Sequence, residues 1–142
     1  MIKLSDYVAK RLKEIYNIRH VFMVSGGGAM HLNDSFGKYI PYICNHHEQA
    51  CAMAAEAYYK QKGTMAAVCV TTGPGGTNTI TGVLGAYQDS IPMFIISGQV
   101  RYETTVESTG LKLRQFGGQE HQIIETVSNM MFFGGFIFLI IL

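Results

Sequence analysis

Four short apolar runs punctuate the chain: HVFMVS (20–25), YIPYIC (39–44), MAAVCVTT (65–72) and IPMFIISG (91–98). Their apolar positions are mostly continuous rather than alternating, which suits strands covered on both faces. Helix-length segments lie between them at 29–37, 48–61 and 75–87, and Gly63 stops the second. Ahead of the first run, Leu4, Val8, Leu12 and Ile15 recur at helical spacing, with Ser5 as the expected N-cap and Asp6 suited to the positive helix end. Strands alternating with helices predict an α/β fold: a three-layer parallel sheet with helices on both faces.

Glycine-rich turns at 26–28, 73–76 and 98 all follow strand ends. In a parallel sheet they share one edge, beside the start of the helix that carries Glu48. Ligands of such sheets bind outside the carboxyl ends of the strands. That convergence marks the expected site.

Composition sharpens the picture in two places. Of the 142 residues 48% are hydrophobic and only 15% charged, against the usual quarter, so much of the surface is expected to meet a partner subunit or another domain. A net charge of +1 offers nothing to nucleic acid or an acidic membrane. Cys44, Cys51 and Cys69 form no disulfide framework, and the charged N-terminus has no apolar h-region, so a reduced, cytoplasmic setting is expected.

The stretch NHHEQACAMAAEAYYKQKG (45–63) places one carboxylate, Glu48, ahead of a nearly uncharged, alanine-rich run. Three readings are open for it: an acid stabilised by the helix dipole, a metal ligand, or a buried acid with a chemical task. Cys44, His46, His47, Glu48 and Cys51 are competent ligands, but their spacing fits no zinc pattern, and no metal is expected. Ala50, Ala52, Ala54, Ala55 and Ala57 make a helix slim enough for close approach by another body. A carboxylate buried by that approach has its pKa raised by desolvation, as proton transfer requires. SGGGAMH lacks the third glycine of a dinucleotide fingerprint, and GPGGTNT lacks the lysine of a phosphate-binding P-loop.

Taken together, HHEQACAMAAEAYYKQKG, VTTGPGGTNTITGVLGAYQDSIPMFIISGQV and GLKLRQFGGQE resemble the N-terminal, pyrimidine-binding domain of thiamine-diphosphate-dependent enzymes. The nearest branch is the acetolactate synthase large subunit and its relatives. The specific element is His-Glu-Gln followed about 25 residues later by Gly-Pro-Gly-x-Thr-Asn, then Asp-Ser-x-Pro and Gly-Gln-Val. The resemblance implies that Glu48 hydrogen-bonds the pyrimidine ring nitrogen of the cofactor. Proton exchange there favours the imino tautomer, which removes the thiazolium proton. It further implies that Ser25, Gly26, Thr72, Pro74 and Asn78 lie near the pyrimidine and that Gln119 approaches the substrate; the family usually has proline where this chain has Gly26.

The implied reaction is attack on a 2-oxo acid such as pyruvate, decarboxylation, and transfer to an acceptor. Mg²⁺ and the diphosphate are held in this family by a separate domain with an acidic Gly-Asp-Gly-type motif, and some members add FAD. No such motif occurs here, where the aspartates are Asp6, Asp34 and Asp89. The expected partner is therefore a second copy or a complementary diphosphate-binding subunit. Residues 1–129 are read as the cofactor-binding domain, and the uncharged run 130–142 as an atypical hydrophobic tail from truncation or a frameshift. That run falls short of the roughly 20 residues that span a bilayer, so no membrane association is expected. The competing functions are a non-catalytic dimerisation module and a nucleotide-binding α/β domain.

Overall fold

The computed structural model describes residues 1–104, Ser108 and the strand at 137–141. Five strands form one parallel sheet: β1 (Val21–Met23), β2 (Tyr42–Cys44), β3 (Ala67–Val70), β4 (Met93–Ser97) and β5 (Ile137–Ile141), in the order β2-β1-β3-β4-β5. The helices are α1 (Leu4–Glu14), α2 (Met30–Tyr39), α3 (Glu48–Lys62), the single turn α4 (Pro74–Thr77) and α5 (Ile80–Gln88).

Strand residues alternate between two cores, as the period of two demands. Val21, Met23, Ala67, Cys69, Phe94 and Ile96 pack under Ala9 and Leu12 of α1 and Leu32 and Phe36 of α2. Phe22, Val68, Val70, Met93 and Ile95 pack under Cys51, Ala52 and Ala55 of α3 and Val83 and Ala86 of α5. The α/β fold with helices on both faces is therefore present. Passing from β1 to β2 the chain moves one way along the sheet over the first face; from β2 to β3 and from β3 to β4 it moves the other way over the second. All three crossovers thus share one hand, as right-handed sheet twist requires.

Register sets the site. Met23 lies level with Cys44 and Cys69, and Val70 with Ser97, so the strand ends sit in one row. Direction along the sheet reverses between β1 and β3, and the loops after these two strands part to opposite faces. Such a reversal opens a crevice at the sheet's edge.

Three local expectations need correction. Lys3, not Ser5, occupies the N-cap of α1 and makes no side-chain cap bond. Ser5 lies inside the helix, where its hydroxyl takes a 2.8 Å hydrogen bond from Ser35. The inward face of α1 is accordingly Ser5, Ala9 and Leu12, while Leu4 and Ile15 are exposed. The segment 75–87 is two helices, because at Asn78 and Thr79 the backbone stays helical but the α-type bonding lapses, Thr79 N–H bonding Gly76 instead. The run 39–44 gives its first residue to α2, and β2 is an edge strand exposed throughout. The apolar end of the chain supplies β5, pairing in parallel with β4 from Met93↔Ile137 to Ser97↔Ile141.

Candidate functional site

Glu48 opens α3. The helix begins there because His47, in extended conformation (φ −154°, ψ 143°), caps it: its Nδ1 accepts a hydrogen bond from the Gln49 backbone N–H at 3.1 Å. Lys60 and Lys62 in the last turn suit the negative helix end, and Gly63 closes it at φ 63°. Glu48 as a residue is half-buried, while its carboxylate makes its hydrogen bond on the exposed side. Its Oε2 accepts a 3.0 Å hydrogen bond from the side-chain amide of Asn78. Among the described residues Oε1 has no hydrogen bond.

Asn78 reaches Glu48 because of the turn before it. Gly73 takes φ 61°, ψ −113°, a region closed to most side chains, and Pro74 follows at the start of α4. Gly75 faces the acid: a Cβ there would stand 3.7 Å from Glu48 Oε1 and 2.8 Å from Thr71 Cγ2. The N–H groups of Gly75 and Thr77 bond to the carbonyls of Thr72 and Gly73. The loop therefore spends part of its backbone polarity on its own shape, and less of it is offered to a ligand than its glycine content suggests.

The remaining loops lock onto this one. Thr71 Oγ1 accepts from the Gly28 N–H at 3.1 Å, bridging the loops after β1 and β3. Thr72 Oγ1 donates to Gln99 Oε1 at 2.7 Å, and Ser97 Oγ donates to the Thr71 carbonyl at 3.2 Å. Gly98 lies so close to Gly28 that any Cβ would overlap the Gly28 carbonyl. At Gly26 the backbone is extended (φ −169°), a conformation closed to proline, whose ring fixes φ near −65°. A Cβ at Gly26 would also meet Thr71 Cβ at 2.5 Å. Gly26 thus leaves the room that Thr71 fills, and the loop is tied to Thr71 through the Gly28 N–H.

The structure brings Gly26, Glu48, Thr72, Pro74 and Asn78 to one edge of the sheet, with Ser25 exposed beside them; Gln119 lies outside the described residues. Sequence reasoning missed Thr71, whose threonine pair in VTTG gave no hint of which hydroxyl bridges the loops. Among the described residues no three metal-ligating side chains converge, and the ring nitrogen of His47 is committed to the helix cap. On the other face of the same loops, Lys3, Leu4, Ser5, Gly28, His31, Leu32 and Gln99 line a groove of about 530 Å³. No helix among the described residues is long and apolar enough to cross a membrane.

The acid at the start of α3 and the asparagine that follows the Gly-Pro-Gly turn thus meet at the reversal point of the parallel sheet. Residues 2–126 match the model of the thiamine pyrophosphate enzyme N-terminal TPP binding domain, and the chain belongs to that family. Within it, the chain is similar to acetolactate synthase large subunits. It is 42% identical to that of Haemophilus influenzae over 104 residues, covering 70% of this chain and 18% of the relative. It is 39% identical to that of Lactococcus lactis over 98 residues, covering 68% and 17%. With the Buchnera aphidicola protein from Schizaphis graminum it shares 44% identity over 85 residues, 58% of this chain and 15% of the relative. The chain thus spans less than a fifth of the length of these relatives.

Proposed function

We propose that this chain forms the pyrimidine-binding part of a thiamine-diphosphate-dependent 2-oxo acid decarboxylase or carboligase of acetolactate synthase type. The observation that carries the reading is the state of the Glu48 carboxylate. One oxygen is fixed by Asn78, while the other carries no bond among the described residues and faces the side-chain-free Gly75. A carboxylate oxygen left without a bond suits an aminopyrimidine ring nitrogen, because it accepts from a protonated ring nitrogen and, once protonated itself, donates to a neutral one. Ser25, Gly26, Thr72 and Pro74 would shape the pocket around the ring, and Gln119 would approach the substrate.

When bound, thiamine diphosphate supplies a nucleophilic carbon that adds to a 2-oxo acid and carries the electron pair left by CO₂ loss. The chain's own task is narrower. Glu48 Oε1 holds or exchanges a proton with the ring nitrogen, and Asn78 keeps the carboxylate aimed while it does so. A second protein body closing over the edge would exclude water from around Glu48. Mg²⁺ and the diphosphate would be held by a complementary domain in a homodimer or a larger assembly; pyruvate is the simplest substrate, FAD an optional addition, and the cytoplasm the proposed location.

Titration calorimetry with thiamine diphosphate and Mg²⁺, on the chain co-expressed with a diphosphate-binding partner domain, tests this. Heat of binding that disappears in Glu48→Gln supports the reading, and binding indifferent to that change refutes it. A dimerisation role without catalysis is favoured by one separate observation: Met53 on α3 and Leu84 on α5 are 46% and 49% exposed on the side away from the sheet. That role predicts assembly without cofactor heat.

A further inference from the structure

We propose that His47 is the positioning residue for Glu48, and that it acts only as the neutral imidazole protonated at Nε2. This deepens the cofactor-binding reading and rests on it for its functional meaning, but its physical content is a property of the chain alone. A backbone N–H can only donate, so the 3.1 Å bond from Gln49 N–H requires a lone pair on His47 Nδ1. The ring proton then sits on Nε2. His47 is also the last extended residue before the helix, and its carbonyl accepts from the Cys51 N–H at 3.3 Å. Glu48 is the next residue, so the cap sets the direction in which α3 leaves the loop and hence where Glu48 meets Asn78.

Histidine at a cap differs from the usual Ser, Thr, Asp or Asn in one respect: acid abolishes its acceptor. Protonation turns Nδ1 into a donor facing another donor, and adds positive charge at the positive end of the helix. The titratable groups around the cap are His46 and Glu48 on either side, Cys44 ending β2 and Cys51 one turn along α3. The facing stretch from α4 through α5 contains no Asp, Glu, Lys, Arg or His; its one titratable side chain is Tyr87, near the far end of α5.

The test is nuclear magnetic resonance on the full 142-residue chain without cofactor, titrated from about pH 7.5 to about pH 5, the range in which histidine changes charge. The Gln49 amide and the Asn78 side-chain amide should move along one curve that coincides with the His47 ring titration. In His47→Asn, which restores an uncharged cap acceptor, that curve should vanish from both signals while the Glu48–Asn78 contact persists. In His47→Leu the Gln49 amide should exchange roughly fivefold faster, the factor a typical cap corresponds to. A Gln49 amide that ignores the His47 titration, or an unaltered Asn78 curve in His47→Asn, overturns the proposal. Because no cofactor is used, that failure leaves the role of Glu48 to be judged separately by calorimetry.

Discussion

Gly75 sits against Thr71 and beside Glu48, where a methyl group fits only if its neighbours shift. An alanine Cβ would press on Thr71 Cγ2 at 2.8 Å and enter the space beside Glu48 Oε1. Gly75→Ala is expected to cost about 1–3 kcal/mol in chemical denaturation, the range for overpacking, and to abolish cofactor heat in the assembled protein. The thiols divide just as sharply. Burial pushes the Cys51 thiol up to about 11, with Glu48 adding to the effect, and burial pushes Cys69 up to about 12. Cys44 is exposed at the end of β2. Iodoacetamide at neutral pH should therefore label Cys44 alone in the folded chain, as read by mass spectrometry, and all three cysteines only after denaturation.

Elements show how far sequence pattern reaches. The four internal strands and the helix after Glu48 were legible because apolar runs and glycine stops are local signals. The break between α4 and α5 was not, since Asn78 and Thr79 keep helical backbone and only the hydrogen-bond pattern changes there, Thr79 N–H bonding the Gly76 carbonyl three residues back. The stripe on α1 misled for another reason: Ser5 is buried by its contact with Ser35 on α2, which no spacing along α1 reveals. The alanine-rich character of α3 suits close approach by another body, and the approach the structure describes is made by α5 of the same chain. A Cβ on Gly82 of α5 would lie 2.6 Å from the Cβ of Ala52 and 3.1 Å from the Met53 backbone nitrogen. Gly82→Ala should destabilise the fold by about 1–3 kcal/mol. Adding Ala52→Gly should recover part of that loss despite its own helix penalty of roughly 1 kcal/mol. A double-mutant cycle by urea unfolding should then show coupling of at least about 0.5 kcal/mol, whereas strict additivity would mean that the two helices do not meet at this pair.

Across the whole molecule, the site was legible as a place before it was legible as a set of bonds. Parallel strands in register put every strand-to-helix loop at one edge, so glycine turns and Glu48 had to converge; which threonine, glutamine and asparagine bonded which loop depended on side-chain packing that sequence does not display. The same burial that silences two thiols makes the fold alkali-sensitive. Their folded pKa values, about 11 and 12, lie above the ordinary 9.0, so the unfolded chain loses protons first as pH rises. Their contribution is fully present below pH 9.0 and is lost as pH climbs through the folded values. Melting temperature should fall across that window, and the fall should be smaller in Cys51→Ala/Cys69→Ala.

The most direct examination of the central claim is a crystal structure of this chain assembled with its diphosphate-binding partner, Mg²⁺ and thiamine diphosphate. The account predicts the Glu48 carboxylate at hydrogen-bonding distance, about 2.7–3.0 Å, from the pyrimidine ring nitrogen, with Asn78 still on its other oxygen. A pyrimidine seated elsewhere, or a Glu48 side chain turned out into water while the cofactor is fully bound, would contradict it.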